Sequence, residues 1–330
     1  MATYKENHGT NIETVTSDPD NPVNGQVWYN STEQALKGFT SNPAGSWSTG
    51  GNLNTARGHL AGFGASNTAA LAAGGGTSGP ATSGTANTEL YNGTSWTEVN
   101  NLGTARHFFG GGGIYTSGIA AGGYTTGQVA LSESWNGTSW TETSDLNNAR
   151  STAAFGAVSN TAAVAFGGNP SGSPTNSAYT ENWNGSGWTE VSDLNTEGNG
   201  VTGIGSQTAA LCVGGANRGA QTEQWNGSSW TEVNDMNTAR NALSGAGVYA
   251  SSIGFGGNPS GSAVSLTEEW NGTNWTTTTS IPSQKRNGGA SRTGGNTAAL
   301  IFGGYYTAQQ ATTFEWNGAG APQVRTFTDS

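Results

Sequence analysis

The chain has 330 residues, of which 11 are Lys or Arg and 21 are Asp or Glu, so its formal net charge at pH 7 is −10. This charge leaves no basic face for a phosphate backbone and argues against a nucleic-acid partner. Cys212 is the only cysteine, which excludes internal disulfide bonds and a thiolate metal cluster. We find no signal-peptide pattern and no run near the roughly 18 apolar residues of a membrane span, so we expect neither a Sec-type address nor membrane insertion.

Glycine is abundant, with 54 copies, and only 10% of the residues are charged. Disordered proteins share such a composition. Tryptophans and short apolar runs recur at a regular spacing, however, which indicates folded β-structure. The self-similarity also overrides the length-based estimate of about two domains, because repeats stabilise one another through shared surfaces. We therefore expect one folded array.

The first segment, residues 1–24, is polar and does not repeat. It has a turn-rich break from Asp18 to Pro22, and only Asn11 to Val15 could form a short strand. Ordering so polar a segment costs about 1 to 2 kcal/mol per residue in backbone entropy, which its few apolar side chains could not offset. We predict that residues 1–24 are an N-terminal arm that becomes ordered against a partner, and that residues 25–330 form the repeating domain.

The most regular element is Trp135-Asn136-Gly137-Thr138-Ser139-Trp140, and related hexapeptides begin at Tyr91, Trp183, Trp225 and Trp270. Asn-Gly predicts a hairpin, because both central residues of a type I′ turn need a positive φ, which Gly adopts freely and Asn tolerates. The loop contains either two or four residues, and in both registers the two indoles lie on one face, which must be buried. The second aromatic residues of the motif, which we predict to be structural, are Trp96, Trp140, Trp188, Trp230 and Trp275.

Two further strands are predicted before each hairpin. A polar segment leads into a strand of small residues such as Ala61 to Gly64, and an apolar strand ending in a glycine pair follows, as from Leu71 to Gly75. Each unit thus has four strands, and the marker tryptophans are 42 to 49 residues apart. This is the period of a propeller blade, in which small residues fit the innermost strand and wide indoles fit the outer strands.

The apolar strand with its glycine pair, the aromatic residue before the hairpin and the tryptophan after it resemble the kelch repeat over nearly all of residues 33–330. The Gly-His and Trp-Asp signatures of WD40 repeats do not occur. The resemblance implies an all-β, kelch-like β-propeller of four-stranded blades. We favour seven blades, with six as the alternative. Residues 11–49 would form a divergent first blade, and Phe314 to Phe327 a degenerate last one, in which Ala321 replaces the second tryptophan.

A second resemblance covers residues 25–47. The run from Gly25 to Asn30, with Leu36 to Phe39 and Gly45 to Trp47, is similar to the opening hairpin of structural proteins from marine tailed bacteriophages. In those proteins a short polar arm precedes repeats rich in Ser, Thr, Gly and Asn. The resemblance implies a virion protein of tail-fibre or capsid-decoration type, with other virion proteins as partners of the arm.

The histidines of the chain are His8, His59 and His107. His59 and His107 occupy equivalent places in adjacent units, but a zinc site needs at least three protein side chains, and no carboxylate or cysteine has a suitable spacing. Galactose oxidase-like enzymes share the kelch propeller, yet three scattered histidines do not provide their copper site. We predict no metal and no cofactor.

A repeated basic residue ends the polar segment of most units, namely Arg57, Arg106, Arg150, Arg240 and Arg286. A repeated carboxylate, such as Glu89, lies two residues before the first aromatic residue of the hairpin. The arginines could form a ring of ligand-binding charges. Alternatively, each could bond a carboxylate or a backbone carbonyl within its blade, since a planar guanidinium makes bidentate bonds. We favour the structural role.

No sequence feature indicates catalysis. The two carboxylates of a glycosidase form a unique pair in different environments, whereas the acids here repeat with the fold. Glycine-rich runs such as Gly110 to Gly113 lack the Lys-Ser/Thr of a phosphate-binding loop. We therefore predict a protein without enzymatic activity.

The loops after the glycine pairs vary most between units. They are the predicted binding surface, because loops on rigid scaffolds commonly carry function, and their side chains suit a glycan or protein ligand. The candidate ligand-binding residues are Tyr124, Tyr179, Asn217, Arg218, Tyr305 and Tyr306. The sequence thus predicts a virion surface protein that binds a host glycan or protein. A bacterial surface or secreted glycan-binding adhesin is the first alternative, and a polysaccharide-degrading propeller enzyme is the second.

Overall fold

The computed structural model describes residues 12–19, 26–41, 45–78, 84–172, 176–293, 295–318 and 322–327. In these ranges the regular secondary structure is entirely β, which confirms the predicted class, and they contain no helix of the length and apolarity that a membrane span requires. In chain order the strands are β1 (Glu13–Val15), β2 (Val27–Asn30), β3 (Ala35–Ser41), β4 (Ser46–Gly50), β5 (Ala61–Gly64), β6 (Ala70–Ala73), β7 (Thr88–Tyr91), β8 (Trp96–Val99), β9 (Gly110–Ile114), β10 (Ser117–Ala121), β11 (Ser132–Trp135), β12 (Trp140–Glu142), β13 (Arg150–Ser151), β14 (Ala154–Ser159), β15 (Ala162–Phe166), β16 (Asn169–Pro170), β17 (Thr180–Trp183), β18 (Trp188–Glu190), β19 (Thr202–Ser206), β20 (Ala209–Val213), β21 (Thr222–Trp225), β22 (Trp230–Val233), β23 (Ser244–Val248), β24 (Ser251–Phe255), β25 (Thr267–Trp270), β26 (Trp275–Thr278), β27 (Gly289–Ala290), β28 (Ala298–Phe302), β29 (Thr313–Asn317) and β30 (Pro322–Phe327).

The chain divides into two compact units. The terminal unit comprises Met1–Ser46 with Gly318–Ser330, and the propeller unit comprises Trp47–Asn317. The terminal unit contains one four-stranded sheet, β1-β2-β3-β30, in which β1 runs parallel to β2 and the other neighbours are antiparallel. The domain boundary predicted from the sequence lies between residues 24 and 25. In the structure β3 pairs with β30, so both ends of the chain contribute to the terminal unit.

Asp18 connects the strands of the terminal unit. Its carboxylate accepts hydrogen bonds from Trp28 Nε1 at 3.0 Å and Asn30 Nδ2 at 2.9 Å, and it forms an ion pair with Lys37 Nζ at 2.9 Å. The Lys37 bond, followed by the two others, lowers the pKa of Asp18 to about 2. These contacts and β1 place residues 13–19 of the predicted arm on the terminal sheet, and the binding of the arm to a partner stays a prediction. The rest of that arm, residues 1–11 and 20–24, lies outside the described residues.

The propeller unit contains six four-stranded sheets, which we call blades 1 to 6. They are β5-β6-β7-β8, β9-β10-β11-β12, β14-β15-β17-β18, β19-β20-β21-β22, β23-β24-β25-β26 and β27-β28-β29-β4. The first strands contact each other in the closed cycle β5, β9, β14, β19, β23, β27 and back to β5. The described part of this unit thus contains six blades in a closed cycle. The seventh four-stranded sheet, which includes most of the predicted first blade, belongs to the terminal unit.

Blade 6 is built from both ends of the propeller unit. Its outermost strand is β4, which precedes all other strands of the unit in the chain. Trp47 on β4 packs against Trp316 on β29 with the ring centroids 5.1 Å apart, as Trp135 packs against Trp140 within blade 2 at 5.3 Å. Trp47 therefore supplies the second tryptophan that the repeat pattern predicts at the position of Ala321. The pairing was missed because the two strands are far apart in sequence.

The Trp-Asn-Gly hairpins have four-residue loops, since Trp135 pairs directly with Trp140. Gly137 is the residue of the Asn-Gly pair with a positive φ, 93°. The side-chain Oδ1 of Asn136 accepts bonds from the backbone N–H groups of Thr138 and Ser139, both at 2.9 Å. The predicted hairpin thus has the longer of its two predicted loops and no type I′ turn, because a capping Asn side chain takes the place of a left-handed Asn backbone.

Each blade is linked to the next through its glycine pair. Both glycines have a positive φ, 58° at Gly74 and 103° at Gly75, which disfavours any side chain. The N–H of Gly75 donates to the carbonyl of Arg106 at 3.0 Å, from blade 1 to the start of blade 2. Equivalent donors in the other blades are Gly123, Gly168, Gly215, Gly257 and Gly304. These bonds close a cycle at one end of the ring. We call this end, with the six loops that follow the glycine pairs, the glycine-pair face.

The indoles of the hairpins lie between neighbouring blades. Trp188 of blade 3 is 7% exposed, and its Nε1 donates to Ser132 Oγ of blade 2 at 3.1 Å. The same type of bond joins Trp96 to Thr313, Trp140 to Thr88, Trp230 to Thr180 and Trp275 to Thr222. The tryptophans predicted to be structural are thus placed at blade interfaces.

Candidate functional site

Five buried ion pairs occupy corresponding places in blades 1 to 5. In blade 1, Arg57 Nη1 lies 2.5 Å from Glu89 Oε1, and both side chains are fully buried. The other Glu89 oxygen accepts a 2.7 Å bond from the backbone N–H of Asn54. The remaining pairs are Arg106–Glu133, Arg150–Glu181, Arg218–Glu223 and Arg240–Glu268. Each of these arginines forms a buried ion pair within its own blade. Their charges are therefore not available to bind a ligand.

Blade 4 reaches this arrangement with a different arginine. Gly198 stands where the other blades have a basic residue, as its carbonyl accepts the bond from Gly168. Arg218 comes instead from the loop after the next glycine pair, with Nη1 at 2.6 Å from Glu223 Oε1 and 3% exposure. A Cβ on Gly198 would collide with Arg218 Cδ, so the glycine leaves the space that Arg218 fills. Arg218, predicted to bind ligand, is therefore an internal partner of Glu223.

Blade 6 has a lysine over an aromatic ring in place of the ion pair. Lys285 is the residue equivalent to the arginines, because its carbonyl accepts the bond from Gly257. Its Nζ lies 4.5 Å from the centroid of the Phe314 ring and donates to Thr312 Oγ1 at 2.9 Å. Arg286 is one position further on, half-buried, with its guanidinium 5.4 Å from the Tyr305 ring centroid. Lys285 thus has the buried structural place that was predicted for Arg286.

The buried Lys285 predicts a pH-dependent stability. Burial lowers the pKa of Lys285 from 10.5 to about 7, so above pH 7 the unfolded chain holds a proton that the folded chain lacks. The free energy of unfolding should rise by up to about 1.4 kcal/mol per pH unit between about pH 7 and 10.5. Urea denaturation across this window tests the slope, and Lys285→Met should flatten it. A parent and a Lys285→Met variant with the same slope would contradict the assignment.

The other predicted ligand-binding residues belong to loops of the glycine-pair face. Tyr124 pairs through its backbone with His107, and the two ring centroids are 5.5 Å apart. Tyr305 pairs with Arg286 in the same way, and both tyrosines are half-buried. The exposed candidates are Tyr179, Asn217 and Tyr306. These five residues come from blades 2, 3, 4 and 6, so they mark separate loops rather than one cluster.

A cavity of about 80 Å³ opens at the ring of first strands, where every blade contributes an equivalent residue to its wall. These residues are His59, Phe108, Thr152, Gly200, Ala242 and Asn287. All six have φ between 53° and 59°, a conformation that non-glycine residues rarely adopt and that is concentrated at functional sites. Backbone bonds join neighbours around the ring, as from the Phe108 N–H to the His59 carbonyl at 3.0 Å. The six blades therefore build this axial cavity together.

Arg292 supplies the charge of the axial cavity. Its Nε donates to the Gly62 carbonyl of blade 1 at 3.3 Å and its Nη1 to the Gly203 carbonyl of blade 4 at 2.9 Å. Blades 1 and 4 are opposite in a six-bladed ring, so the guanidinium lies in the central channel. Desolvation lowers the pKa of Arg292 to about 10, which still leaves a cation at neutral pH. Within the described residues, no carboxylate forms an ion pair with Arg292.

Two polar atoms of the cavity wall are unpaired. Nδ1 of His59 and Oγ1 of Thr152 are buried and have no hydrogen-bond partner in the part of the chain that the structure describes. Burial, assisted by the charges of His107 and Arg286, lowers the pKa of His59 to about 3, so this imidazole is neutral at physiological pH. Buried polar atoms are normally paired, so two unpaired atoms in a cavity wall are unusual. Both atoms are therefore available to form hydrogen bonds with a ligand.

The axial cavity can therefore bind a polar or anionic group beside an aromatic wall. The Phe108 ring centroid lies 4.0 Å from that of His59, and the described lining contains no Asp or Glu. Across the described ranges, no three His, Cys, Asp or Glu side chains come together as a metal site. This cavity could not be recognised in the sequence, because its wall residues share no residue type. Their common signal is position, since His59, Phe108 and Thr152 each follow a repeat arginine by two residues.

Neither a protein-family model nor a curated protein matches the chain. Among solved structures, the structure of YjhT is similar, with a TM-score of 0.65 and 11% sequence identity. The likeness covers 84% of this chain and 99% of that chain. At so low an identity it concerns the fold alone. The β-propeller fold predicted from the repeats is thereby confirmed.

Proposed function

We propose that this protein is a non-enzymatic binding protein on the particle surface of a tailed bacteriophage, of fibre, receptor-binding or capsid-decoration type. The observation that carries the binding role is the axial cavity, in which Arg292 has no carboxylate partner among the described residues and two buried polar atoms are unpaired. The ligand would be a host surface glycan or protein that contacts the glycine-pair face. The particle location rests on the resemblance of residues 25–47 to phage structural proteins.

The acids of the propeller favour binding over catalysis. Most glycosidases use two carboxyl groups about 5 to 9.5 Å apart at a common cavity. Here Glu89, Glu133 and their equivalents are buried and paired with arginines, and the described lining of the axial cavity is free of acids. A binding role therefore accounts for the site better than polysaccharide hydrolysis does.

The terminal unit is the proposed attachment to other virion proteins. On β2 the exposed Val27 and Tyr29 alternate with the buried Trp28 and Asn30, so one side of the strand presents apolar side chains to solvent. Ile12, which precedes β1, is 52% exposed. Exposed apolar groups that lie together are typical of protein interfaces.

Particle association is the first test of this function. We expect mass spectrometry of purified particles to detect the protein, and particles stripped of it to rebind the purified parent. A Val27→Ser/Tyr29→Ser variant should rebind at least about tenfold more weakly, because it removes apolar area from the attachment surface while its core stays intact. The matched control is Val248→Ser/Tyr249→Ser, which changes exposed residues of the propeller unit.

Equal rebinding of the two double variants would contradict the proposal that Val27 and Tyr29 belong to the attachment surface. Absence of the protein from particles would overturn the virion location. Detection of the protein on a bacterial surface instead would support the adhesin alternative, with the same ligand face.

A further inference from the structure

We infer that the axial cavity binds one carboxylate group of an acidic sugar, with Arg292 as its charge partner. The inference rests on the proposed binding role of the glycine-pair face, and it names the chemical class of the ligand. A carboxylate would enter from the side of the wall residues His59, Phe108 and Thr152 and meet the guanidinium in the channel.

The guanidinium has unused donors for such a group. Arginine carries five N–H donors, and the bonds to Gly62 and Gly203 use one on Nε and one on Nη1. One donor on Nη1 and two on Nη2 are then left among the described contacts. A pair of donors on neighbouring nitrogens matches the two oxygens of a planar carboxylate. The two carbonyls hold the guanidinium in place, so little side-chain entropy is lost when the ligand binds.

The cavity wall complements this charge. Thr152 Oγ1 and His59 Nδ1 can each form one hydrogen bond to the ligand, and both lack a partner within the described residues. Although the whole chain carries a net charge of −10, the described lining of the cavity has Arg292 and no acidic residue. The Arg286 guanidinium, whose charge acts on His59, adds to the local positive potential. An anion is therefore favoured at this place, whereas a cation is disfavoured.

The size of the cavity limits what can enter. A volume of about 80 Å³ admits several water molecules or a small polar group, but not a whole saccharide. A sugar ring attached to the carboxylate would remain at the mouth, where Phe108 is half-buried and its ring is available for stacking. This arrangement suits a uronic acid, in which the carboxylate projects from the sugar ring.

Ligand titrations of the purified full-length protein test this inference. NMR chemical shifts would be followed with sodium glucuronate, with glucose as the uncharged analogue and with sodium sulfate as a tetrahedral anion, all at constant ionic strength. We expect glucuronate to bind at least about tenfold more tightly than glucose or sulfate. Arg292→Met should abolish this preference. Glu190→Gln is the control that changes one charge elsewhere, because Glu190 is exposed and lies outside the cavity lining, and it should leave glucuronate binding within about twofold.

A second variant keeps the test decisive if Arg292→Met fails to fold. Thr152→Val preserves the shape and the β-branch of the side chain and removes only the unpaired hydroxyl, so the fold should be kept and glucuronate should bind about threefold to tenfold more weakly. Equal binding of glucuronate and glucose, binding of sulfate as tight as that of glucuronate, or unchanged glucuronate binding in Thr152→Val would each overturn the inference. None of these results depends on particle association, so the virion location and the carboxylate site can fail separately.

Discussion

Replacing Arg150 by Met is expected to lower the free energy of unfolding by about 3 to 5 kcal/mol. Arg150 and Glu181 are fully buried in blade 3, with Nη1 and Oε1 3.0 Å apart. Without the guanidinium, the carboxylate must keep an uncompensated buried charge or take up a proton, and both cost free energy. Urea denaturation followed by tryptophan fluorescence measures the change.

The double variant Arg150→Met/Glu181→Leu separates the buried charge from general damage to the blade. Because apolar residues often replace a buried ion pair without loss, this variant should recover most of the stability. Glu190→Gln is a control in the same blade. Glu190 is exposed and accepts a bond from Asn148 at 2.8 Å, so its replacement should change stability by less than about 0.5 kcal/mol. A double variant as unstable as Arg150→Met would contradict the ion-pair explanation.

Replacing Trp188 by Ala is expected to cost about 3 to 5 kcal/mol of stability. The indole is 7% exposed, with its ring centroid 5.3 Å from that of Trp183 and 6.0 Å from that of Phe155. The substitution leaves a cavity at the interface of blades 2 and 3 and also removes the bond to Ser132. Equilibrium denaturation gives the loss directly.

Two control variants divide the effect of Trp188→Ala into its parts. Ser132→Ala removes only the acceptor of the indole N–H and should cost about 1 kcal/mol. Tyr249→Ala removes a ring that is 42% exposed on the same propeller and should cost much less than the tryptophan. If Trp188→Ala unfolded at the same urea concentration as the parent, the assignment of Trp188 to the packed interface of blades 2 and 3 would be wrong.

Local patterns predicted the strands of the propeller well. Ala61 to Gly64 was predicted as a small-residue strand and is β5, and the paired indoles of the hairpin face one another as expected. These features depend on alternation, turn residues and period, all of which are visible within one repeat. Features that join distant segments were not predictable in this way. Blade 6, for example, is completed by β4, which brings Trp47 next to Trp316. No local sequence pattern indicates that these two tryptophans form a pair.

The candidate site was less predictable than the fold. Arg218 and Lys285 show why. Arg218 reaches Glu223 from a different loop, and only a backbone bond reveals that Lys285, not Arg286, occupies the repeat position. The wall of the axial cavity depends on a shared backbone conformation instead of a shared side chain. Arg292 lies in no repeated position, and its place in the channel follows from carbonyls of two blades far from it in sequence.

The pairing of β3 with β30 has a mechanical consequence. It makes the propeller unit an insertion between two strands of one sheet, joined to the terminal unit through both Ser46–Trp47 and Asn317–Gly318. A protease that cuts one of these connections leaves the two units covalently joined through the other. A pulling force on the terminal unit is divided between β4 and β29, which are neighbours in blade 6, so the load enters the ring through one blade. The two units are thus joined by two covalent connections, and separation of the propeller unit requires that both be cut.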